Sequence, residues 1–156
     1  MKIISIVVAL LLAVGIALAE PPEEAWVMCQ PDSEVIIRET PSRHAKEAGR
    51  LWPGERVELT GNKRGRWYEI FAHTEVETGW VRGDFLSFFE PMAFPGGKLF
   101  TTTKGNLITR MSMGGDVRNR FKRKGVIVRV YMMAEEWSVT NYGYIKTRYL
   151  EAQDGT

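Results

Sequence analysis

RWYEI at residues 66–70 and TGWV at residues 78–81 form a pattern that the chain repeats as EWSV at 136–139 and YGYI at 142–145. In each copy a tryptophan opens a short alternating run, and a glycine then precedes an aromatic and an aliphatic residue. Alternation with a period of two is typical of β-strands, and a repeated order of landmarks indicates a duplicated unit. The sequence therefore predicts two copies of one small β unit, which favours binding surfaces over one large active site.

Other landmarks surround these segments in the same order. Each copy opens with an apolar-x-apolar-Arg run that ends at Arg38 or Arg110, and each closes with an aromatic–Leu pair at 85–86 or 149–150. The copies differ between the tryptophan run and the next glycine, where the first copy carries the additional residues 72–77. Insertions between strands leave a core intact, so this difference supports the alignment.

Strand signals dominate the rest of the chain. Residues 56–60, 67–71 and 125–131 alternate or form short β-branched runs, and glycine-containing turns separate them. No helical periodicity is sustained after the first 19 residues, so we predict an all-β chain. A short edge strand is expected within residues 25–30, whereas residues 90–97, with two prolines and two glycines, are expected to break regular structure.

The first segment has the parts of a secretory signal peptide. Lys2 supplies positive charge, residues 3–18 are almost wholly apolar, and residues 17–19 (ALA) form a small-x-small cleavage site. The apolar run is 16 residues long, shorter than the roughly 20 needed to span a bilayer, so cleavage is favoured over an uncleaved anchor. We therefore expect a mature chain with no stable membrane span, located outside the cell, in the cell wall or in the periplasm.

These signals divide the chain into five segments. Residues 1–19 are expected to be the signal peptide, 20–33 a leader, 34–88 the first unit, 89–104 a linker and 105–151 the second unit. Residues 20–95 hold 9 Lys and Arg against 14 Asp and Glu, whereas residues 96–156 hold 11 against 5. The first unit is therefore acidic and the second basic. Cys29 is the only cysteine, so stability must come from the cores and not from an internal disulfide.

Together these landmarks resemble the bacterial SH3 domain, an SH3-like β-barrel of exported proteins. The family signature runs apolar-x-Val-Arg-x-x-Pro-Ser, Gly-x-Leu-x-x-Gly, Gly-Trp-Tyr-x-Val and Gly-Trp-Val-x-x-x-Tyr-Leu. The first copy matches it at Ile37, Arg38, Pro41, Ser42, Gly49, Leu51, Gly54, Trp67, Tyr68, Ile70, Gly79, Trp80, Val81, Phe85 and Leu86. The second copy keeps Arg110, Gly125, Trp137, Gly143, Tyr144, Ile145, Tyr149 and Leu150 but lacks the Pro-Ser. The resemblance implies two small SH3-like β-barrels in tandem after a cleaved signal peptide.

The resemblance also implies structural roles. Arg38 and Arg110 are expected to tie each opening strand to the loop that follows it, through a salt bridge or carbonyl contacts. A unit of about 50 residues is near the lower limit for independent folding, so it must bury its largest side chains. We expect one core to be filled by Leu51, Trp67, Trp80 and Leu86, and the other by Val128, Trp137, Tyr144 and Leu150.

Nothing in the sequence points to catalysis. A nucleophilic pair of Cys29 with His44 or His73 would have to converge in a shielded cleft, which a small barrel does not supply. The metal-binding spacings Cys-x-x-Cys and His-x-x-x-His are absent. We expect no enzyme activity, no cofactor and no metal site.

Three aromatic residues are candidates for ligand binding. Trp52 precedes a Pro-Gly turn, where an exposed indole could stack on a sugar ring or an apolar peptide stem. Packing over the end of the barrel is an equally good interpretation of Trp52. Tyr68 and Phe85 could line the neighbouring groove, although core packing is favoured for both.

The stretch Arg118 to Lys124 is the strongest charge cluster. It holds Arg118, Arg120, Lys122, Arg123 and Lys124. Such a cluster attracts polyanions, for example teichoic acids or lipid head groups, and the secretion signal argues against nucleic acid. Two alternatives stay open: a solvated turn that protects a sheet edge, which is favoured, and docking of this patch on the acidic first copy.

The predicted function is that of a secreted, non-enzymatic binding protein. The resemblance implies a cell-wall polymer as partner, with peptidoglycan or its peptide stems as the usual ligand class. The alternative is an adaptor that recognises another exported protein. The sequence leaves open the oligomeric state and whether the two barrels are docked.

Overall fold

The computed structural model describes residues 22–153, so the signal peptide predicted at residues 1–19 lies outside the described residues. The first half comprises β1 (Glu24–Val27), β2 (Val35–Arg38), β3 (Glu47–Leu51), β4 (Arg56–Arg64), β5 (Trp67–Phe71), β6 (Thr78–Arg82), a 3-10 turn (Gly83–Phe85) and β7 (Leu86–Ser87). The second half comprises β8 (Met92–Thr102), β9 (Leu107–Arg110), β10 (Val117–Phe121), β11 (Ile127–Met133), β12 (Trp137–Thr140), β13 (Gly143–Lys146), a second 3-10 turn (Thr147–Tyr149) and β14 (Leu150–Ala152).

The two halves have the same topology. The first sheet has the strand order β3-β2-β6-β5-β4-β1-β7, and the second has β10-β9-β13-β12-β11-β8-β14. Each strand of the second sheet thus occupies the place of the strand seven positions earlier, down to the 3-10 turn before the last strand. All the pairings are antiparallel. The prediction of an all-β chain with two SH3-like barrels is confirmed. Within residues 22–153, no helix has the length and apolar character needed to cross a membrane.

The segment predicted to be a linker, residues 89–104, contains the longest strand. β8 pairs with both β11 and β14, so the prediction that residues 90–97 break regular structure is wrong. Its pairing with β11 jumps from Lys98 opposite Val130 to Ala93 opposite Met132. The residues skipped by this jump include two glycines with positive φ, which form a bulge inside the strand.

The leader, residues 20–33, also holds a strand. β1 lies between β4 and β7, so it is an interior strand and not the edge strand that was predicted. Ala25 and Val27 are fully buried there. Each half therefore begins one strand earlier than the sequence landmarks indicated.

Each half has its own core. Buried in the first core are Ala25, Val27, Cys29, Val35, Ile37, Leu51, Val57, Ile70, Val81 and Leu86. Buried in the second are Phe100, Leu107, Phe121, Val128, Val130 and Ile145, with Leu150 partly buried beside them. Trp80 is buried and Trp67 half-buried, and both lie outside the first core cluster.

A third apolar cluster joins the two halves, and we call it the seam cluster. Its buried members are Met28 of the first half and Met132, Trp137, Val139 and Tyr144 of the second, with Phe85 partly buried against them. The prediction that Trp137 and Tyr144 fill the second core is therefore wrong. Both side chains are buried, but against the other half of the protein.

Hydrogen bonds reinforce this seam. The Tyr144 hydroxyl donates to the Met28 carbonyl over 2.7 Å, and the Gln30 side-chain amide donates to the Thr140 carbonyl over 3.0 Å. The carboxylate of Asp84 accepts a bond of 2.7 Å from the Ser112 hydroxyl. The halves are therefore docked through apolar packing and neutral donors. Every ion pair among the described residues lies within one half, so docking of the basic patch on the acidic first copy is not what joins them.

The two opening-strand arginines have the predicted structural role. Arg38 donates to the Ala45 carbonyl at 2.9 Å, and Arg110 donates to the Gly115 carbonyl at 2.7 Å. Both carbonyls belong to the loop that follows the arginine's own strand. Carbonyl contacts, and not salt bridges, thus tie each strand to its loop.

Candidate functional site

A groove of about 620 Å³ follows the seam between the halves, and we call it the seam groove. The first half contributes Gly83, Leu86, Ser87, Phe88 and Phe89, and the second contributes Met113, Ala134, Glu135, Glu136, Trp137, Lys146 and Arg148. The wall of the first half is the 3-10 turn with β7 and the residues after it. The opposite wall is the loop between β11 and β12 together with the end of β13. Neither half could form this groove alone.

The first wall is aromatic, and one of its rings is held by close packing. The ring of Tyr68 lies so close to Gly83 that a Cβ on that glycine would be 2.5 Å from it. Tyr68 in turn packs on Phe88, with ring centroids 5.2 Å apart. Phe89 follows at the mouth of the groove and is 65% exposed. The chain thus presents one supported and one free aromatic ring to the groove.

The second wall combines an aromatic floor with a charged rim. Trp137 opens β12 and is only 9% exposed, with the Lys146 ammonium 4.2 Å above its ring. Lys146 also pairs with Glu136, and the exposed Arg148 follows on the second 3-10 turn. Aromatic faces accept the apolar faces of sugars and aliphatic stems, while the rim offers partners for carboxylates and amides.

The groove continues past Gly83 and Met113 into a smaller hollow of about 320 Å³. Lys63, Arg66 and Tyr68 line this extension on the first half, and Gly114 lines it on the second. The Lys63 ammonium lies 4.9 Å from the centre of the Tyr68 ring. The extension therefore repeats the combination of a ring and a cation found in the main groove.

Asp84 fixes the junction between the groove and its extension. Its carboxylate is buried and accepts two bonds from Arg82, of 2.9 and 2.5 Å, as well as the bond from Ser112. Its backbone carbonyl accepts the N–H of Met113 at 3.0 Å. Asp84 is therefore fully engaged and acts as a positioning residue for the two walls.

The three predicted aromatic residues do not form one surface. Tyr68 lines the extension of the seam groove, and Phe85 packs in the seam cluster with its ring centroid 6.5 Å from that of Tyr144. Trp52 lines neither part of the groove and is 60% exposed on its own turn, where its backbone N–H donates to the Glu55 carboxylate over 2.8 Å. A ligand-binding role for each of them stays a prediction.

The predicted polyanion site lies on β10 and the turn after it. Arg118, Arg120, Lys122, Arg123 and Lys124 are all exposed, while Phe121 between them is buried in the second core. None of the five takes part in an ion pair within the described part of the chain. This placement fits both a polyanion site and a charged sheet edge, so polyanion binding stays a prediction.

Sequence reasoning missed the residues that build the seam groove. Phe88 and Phe89 come directly after the aromatic–Leu pair and Ser87 that end the first unit, where no further strand of that unit needs them. Two consecutive aromatic residues outside the barrel pattern were the available signal. No comparable signal marked Trp137, Lys146 and Arg148. The repeat accounts for Trp137 as a core residue and for Lys146 and Arg148 as surface residues.

The three residues considered for catalysis make no hydrogen bond with one another within the described part of the chain. Cys29 is buried in the first core, and its thiol lies 3.5 Å from the carbonyl of Ser33. His44 and His73 are both exposed, and His44 accepts a bond from Arg43. Among the described residues, no group of three or more His, Cys, Asp and Glu could hold a metal ion.

The thiol of Cys29 is expected to react slowly in the folded protein. Burial raises the pKa of this thiol to about 11, so about one thiol in a thousand is ionised at pH 8. A disulfide reagent such as DTNB at pH 8 should therefore modify the native protein at least about a hundredfold more slowly than the protein in 6 M guanidinium. Rapid stoichiometric modification of the native protein would show that Cys29 is open to solvent.

One known family resembles the first half. The family model of the bacterial SH3 domain matches residues 33–87. The match begins in the loop before β2 and ends at β7, so it omits β1 and the second half. No curated protein matches the sequence.

Two solved structures match this chain at low similarity. They are NlpC1 and NlpC2 from Trichomonas vaginalis, each 15% identical to this chain with a TM-score of 0.35. The similarity covers 86% of this chain and 48% of NlpC1, and 88% of this chain and 52% of NlpC2. This chain therefore spans about half the length of either protein.

Proposed function

We propose that this chain, whose residues 33–87 match the family model of the bacterial SH3 domain, is a secreted, non-enzymatic protein that binds the cell envelope. The proposed ligand is a wall polymer, with peptidoglycan or its peptide stems as the preferred class. The proposed location is outside the cytoplasm, in the wall, the periplasm or the medium. The seam groove is the proposed binding site.

The combination of rings and charges in the seam groove supports this proposal most directly. A peptidoglycan strand presents sugar rings with apolar faces and short peptides with carboxylates. Phe88 and Phe89 offer surfaces for the first, and Lys146 and Arg148 offer partners for the second. Since both halves contribute walls, the two units would act as one composite site and not as two independent ones.

The proposal predicts that the mature protein sediments with purified cell-wall sacculi and that Phe89→Ala weakens this binding about tenfold. Phe89 is exposed, so its loss should remove a stacking contact of about 1.4 kcal/mol without disturbing the fold. The bound fraction is measured by co-sedimentation over a range of sacculus concentrations.

Two other variants sharpen this measurement. Ile127→Ala removes an exposed apolar side chain, 52% accessible, that lies on β11 outside the groove, and should leave binding unchanged. Trp52→Ala distinguishes the turn from the groove, because Trp52 is as exposed as Phe89 but lines no part of it. A loss with Trp52→Ala and none with Phe89→Ala would move the site to the turn. Sedimentation no greater than that of an unrelated protein of similar charge would contradict envelope binding.

A second candidate function is that of an adaptor for another exported protein. Phe89 and Met92 are both largely exposed and lie three positions apart where the first half leads into the second, and exposed apolar side chains are typical of protein contacts. Affinity capture from culture supernatant, compared with capture of sacculi, separates the two functions. An adaptor would retain a defined protein in the absence of wall material, and Phe89→Ala would release it.

A further inference from the structure

A row of arginine, tryptophan and arginine crosses three neighbouring strands of the first sheet. Trp67 on β5 pairs directly with Arg64 on β4 and with Arg82 on β6. Residues that are paired across antiparallel strands project to the same face of the sheet. The side chains of Arg64 and Arg82 therefore project from the same face of the sheet as the indole. The Arg64 guanidinium lies 5.6 Å from the centre of the Trp80 ring, and the Arg82 guanidinium is held by Asp84.

Two adjoining hollows lie around this row, and we call them the Trp67 site. They have volumes of about 210 and 290 Å³ and share Arg43, Trp67 and Arg82. Arg38 and Glu34 line the first hollow as well, and Arg64 and Arg66 line the second. Five of the seven arginines between residues 20 and 95, namely Arg38, Arg43, Arg64, Arg66 and Arg82, thus face one small area.

The carboxylates near this area are already engaged. Glu34 pairs with Arg50 at 2.6 Å, and Asp84 is held by Arg82 and Ser112. Arg43, Arg64 and Arg66 are exposed and take part in no ion pair within the described residues. The Trp67 site therefore holds excess positive charge on a unit that is acidic as a whole.

Such a concentration of like charges is unfavourable unless an anion offsets it. Guanidinium groups bind phosphate and carboxylate through parallel hydrogen bonds. A planar carboxylate satisfies one such fork at a time, whereas the tetrahedral oxygens of a phosphate can accept from arginines that converge from several directions. Arg43 from the β2–β3 loop, Arg64 from the end of β4 and Arg66 from the turn before β5 line one hollow together with Trp67.

We propose that the Trp67 site binds a phosphodiester chain, with successive phosphates in the two hollows and the intervening carbon units over Trp67. Arg43, Arg64 and Arg82 line no part of the seam groove or its extension, so the inference stands whether or not the groove binds wall polymer. It is also distinct from the exposed basic stretch Arg118 to Lys124 on the second half.

The test uses the mature protein and a fluorescent glycerol-phosphate hexamer as probe. The double variant Arg43→Gln/Arg64→Gln should weaken binding at least about tenfold, since two charge-assisted contacts are lost. Lys98→Gln/Lys104→Gln removes the same net charge from exposed positions of the second half, outside the basic stretch, and should change the affinity less than twofold. Affinities are measured by fluorescence anisotropy at two salt concentrations, and thermal melting confirms that both variants are folded.

Three further arms identify the ligand chemistry. The variant Arg43→Lys/Arg64→Lys keeps the charge but not the fork, so it should recover only part of the binding. Oligoglutamate of equal charge should bind at least about tenfold more weakly than the hexamer. Equal binding of oligoglutamate, binding that is confined to vesicles of phosphatidylglycerol, or an equal loss in both glutamine variants would each overturn the proposal.

Discussion

Alanine at position 144 is expected to destabilise the protein by about 3–5 kcal/mol and to separate the unfolding of its two halves. Tyr144 is 2% exposed and lies in the seam cluster with Met28 and Trp137. Its hydroxyl also bonds the carbonyl of Met28, which is itself buried. The substitution therefore removes ring packing and leaves an acceptor without its partner. Guanidinium denaturation followed by circular dichroism and tryptophan fluorescence measures both effects.

The expected form of the transition follows from where this side chain lies. Each half has its own core, so the residues that Tyr144 contacts decide whether the halves unfold together. With the seam intact, we expect one cooperative transition for the wild-type protein. With Tyr144→Ala, the two probes should report two transitions, because the coupling across the seam is lost while each core is retained.

Tyr144→Phe is the matched control for this prediction. It keeps the ring and removes only the hydroxyl bond, so it should cost about 1–3 kcal/mol and leave a single transition. If Tyr144→Ala also unfolds in one step with a loss below about 1 kcal/mol, the seam does not couple the halves. Tyr144→Ala also tests the groove. If both halves form one binding site, the variant should bind sacculi more weakly, whereas unchanged binding would show that the site does not depend on the docking of the halves.

Some features of the fold follow from the sequence by simple physical rules. The alternating runs and glycine turns of both copies give the all-β class, and the repeated order of landmarks gives the duplicated topology. The first strand of each half was misplaced, because β1 and β8 carry no landmark of the repeat. β8 in particular contains a proline and two adjacent glycines that normally end a strand, and only the bulge opposite β11 accommodates them.

The seam could not be derived from the repeat. A period of two shows that Trp137 and Tyr144 have one buried side, but it does not show which surface covers them. Here the covering surface includes Met28, a residue of the segment that was expected to be a leader. The seam groove depends on the same docking, so its residues were equally hidden. Arg38 and Arg110 were predictable because their contacts are local.

The glycine of each Gly-aromatic-aliphatic motif shows what a sequence pattern can leave unexplained. Gly79 is the second residue of β6, and Gly143 is the first residue of β13. These strands pair with β2 and β9, which end at Arg38 and Arg110. A Cβ on Gly79 would lie 2.3 Å from the side chain of Ile37. The motif thus requires glycine because two strands approach closely, a reason that only the coordinates reveal.

Gly143→Ala is expected to destabilise the second half by more than about 4 kcal/mol, enough to prevent its folding. A Cβ at this position would lie 2.4 Å from the carbonyl oxygen of Arg110, a backbone atom that cannot move without breaking β9 from β13. The φ of Gly143 is also +106°, where other residues are strained by about 1–3 kcal/mol. Gly125→Ala separates these causes, because Gly125 has a φ of +81° but open space around its Cβ, so it should cost only the strain. Thermal melting of both variants makes the comparison, and equal losses would show that the close approach to Arg110 is not what demands glycine.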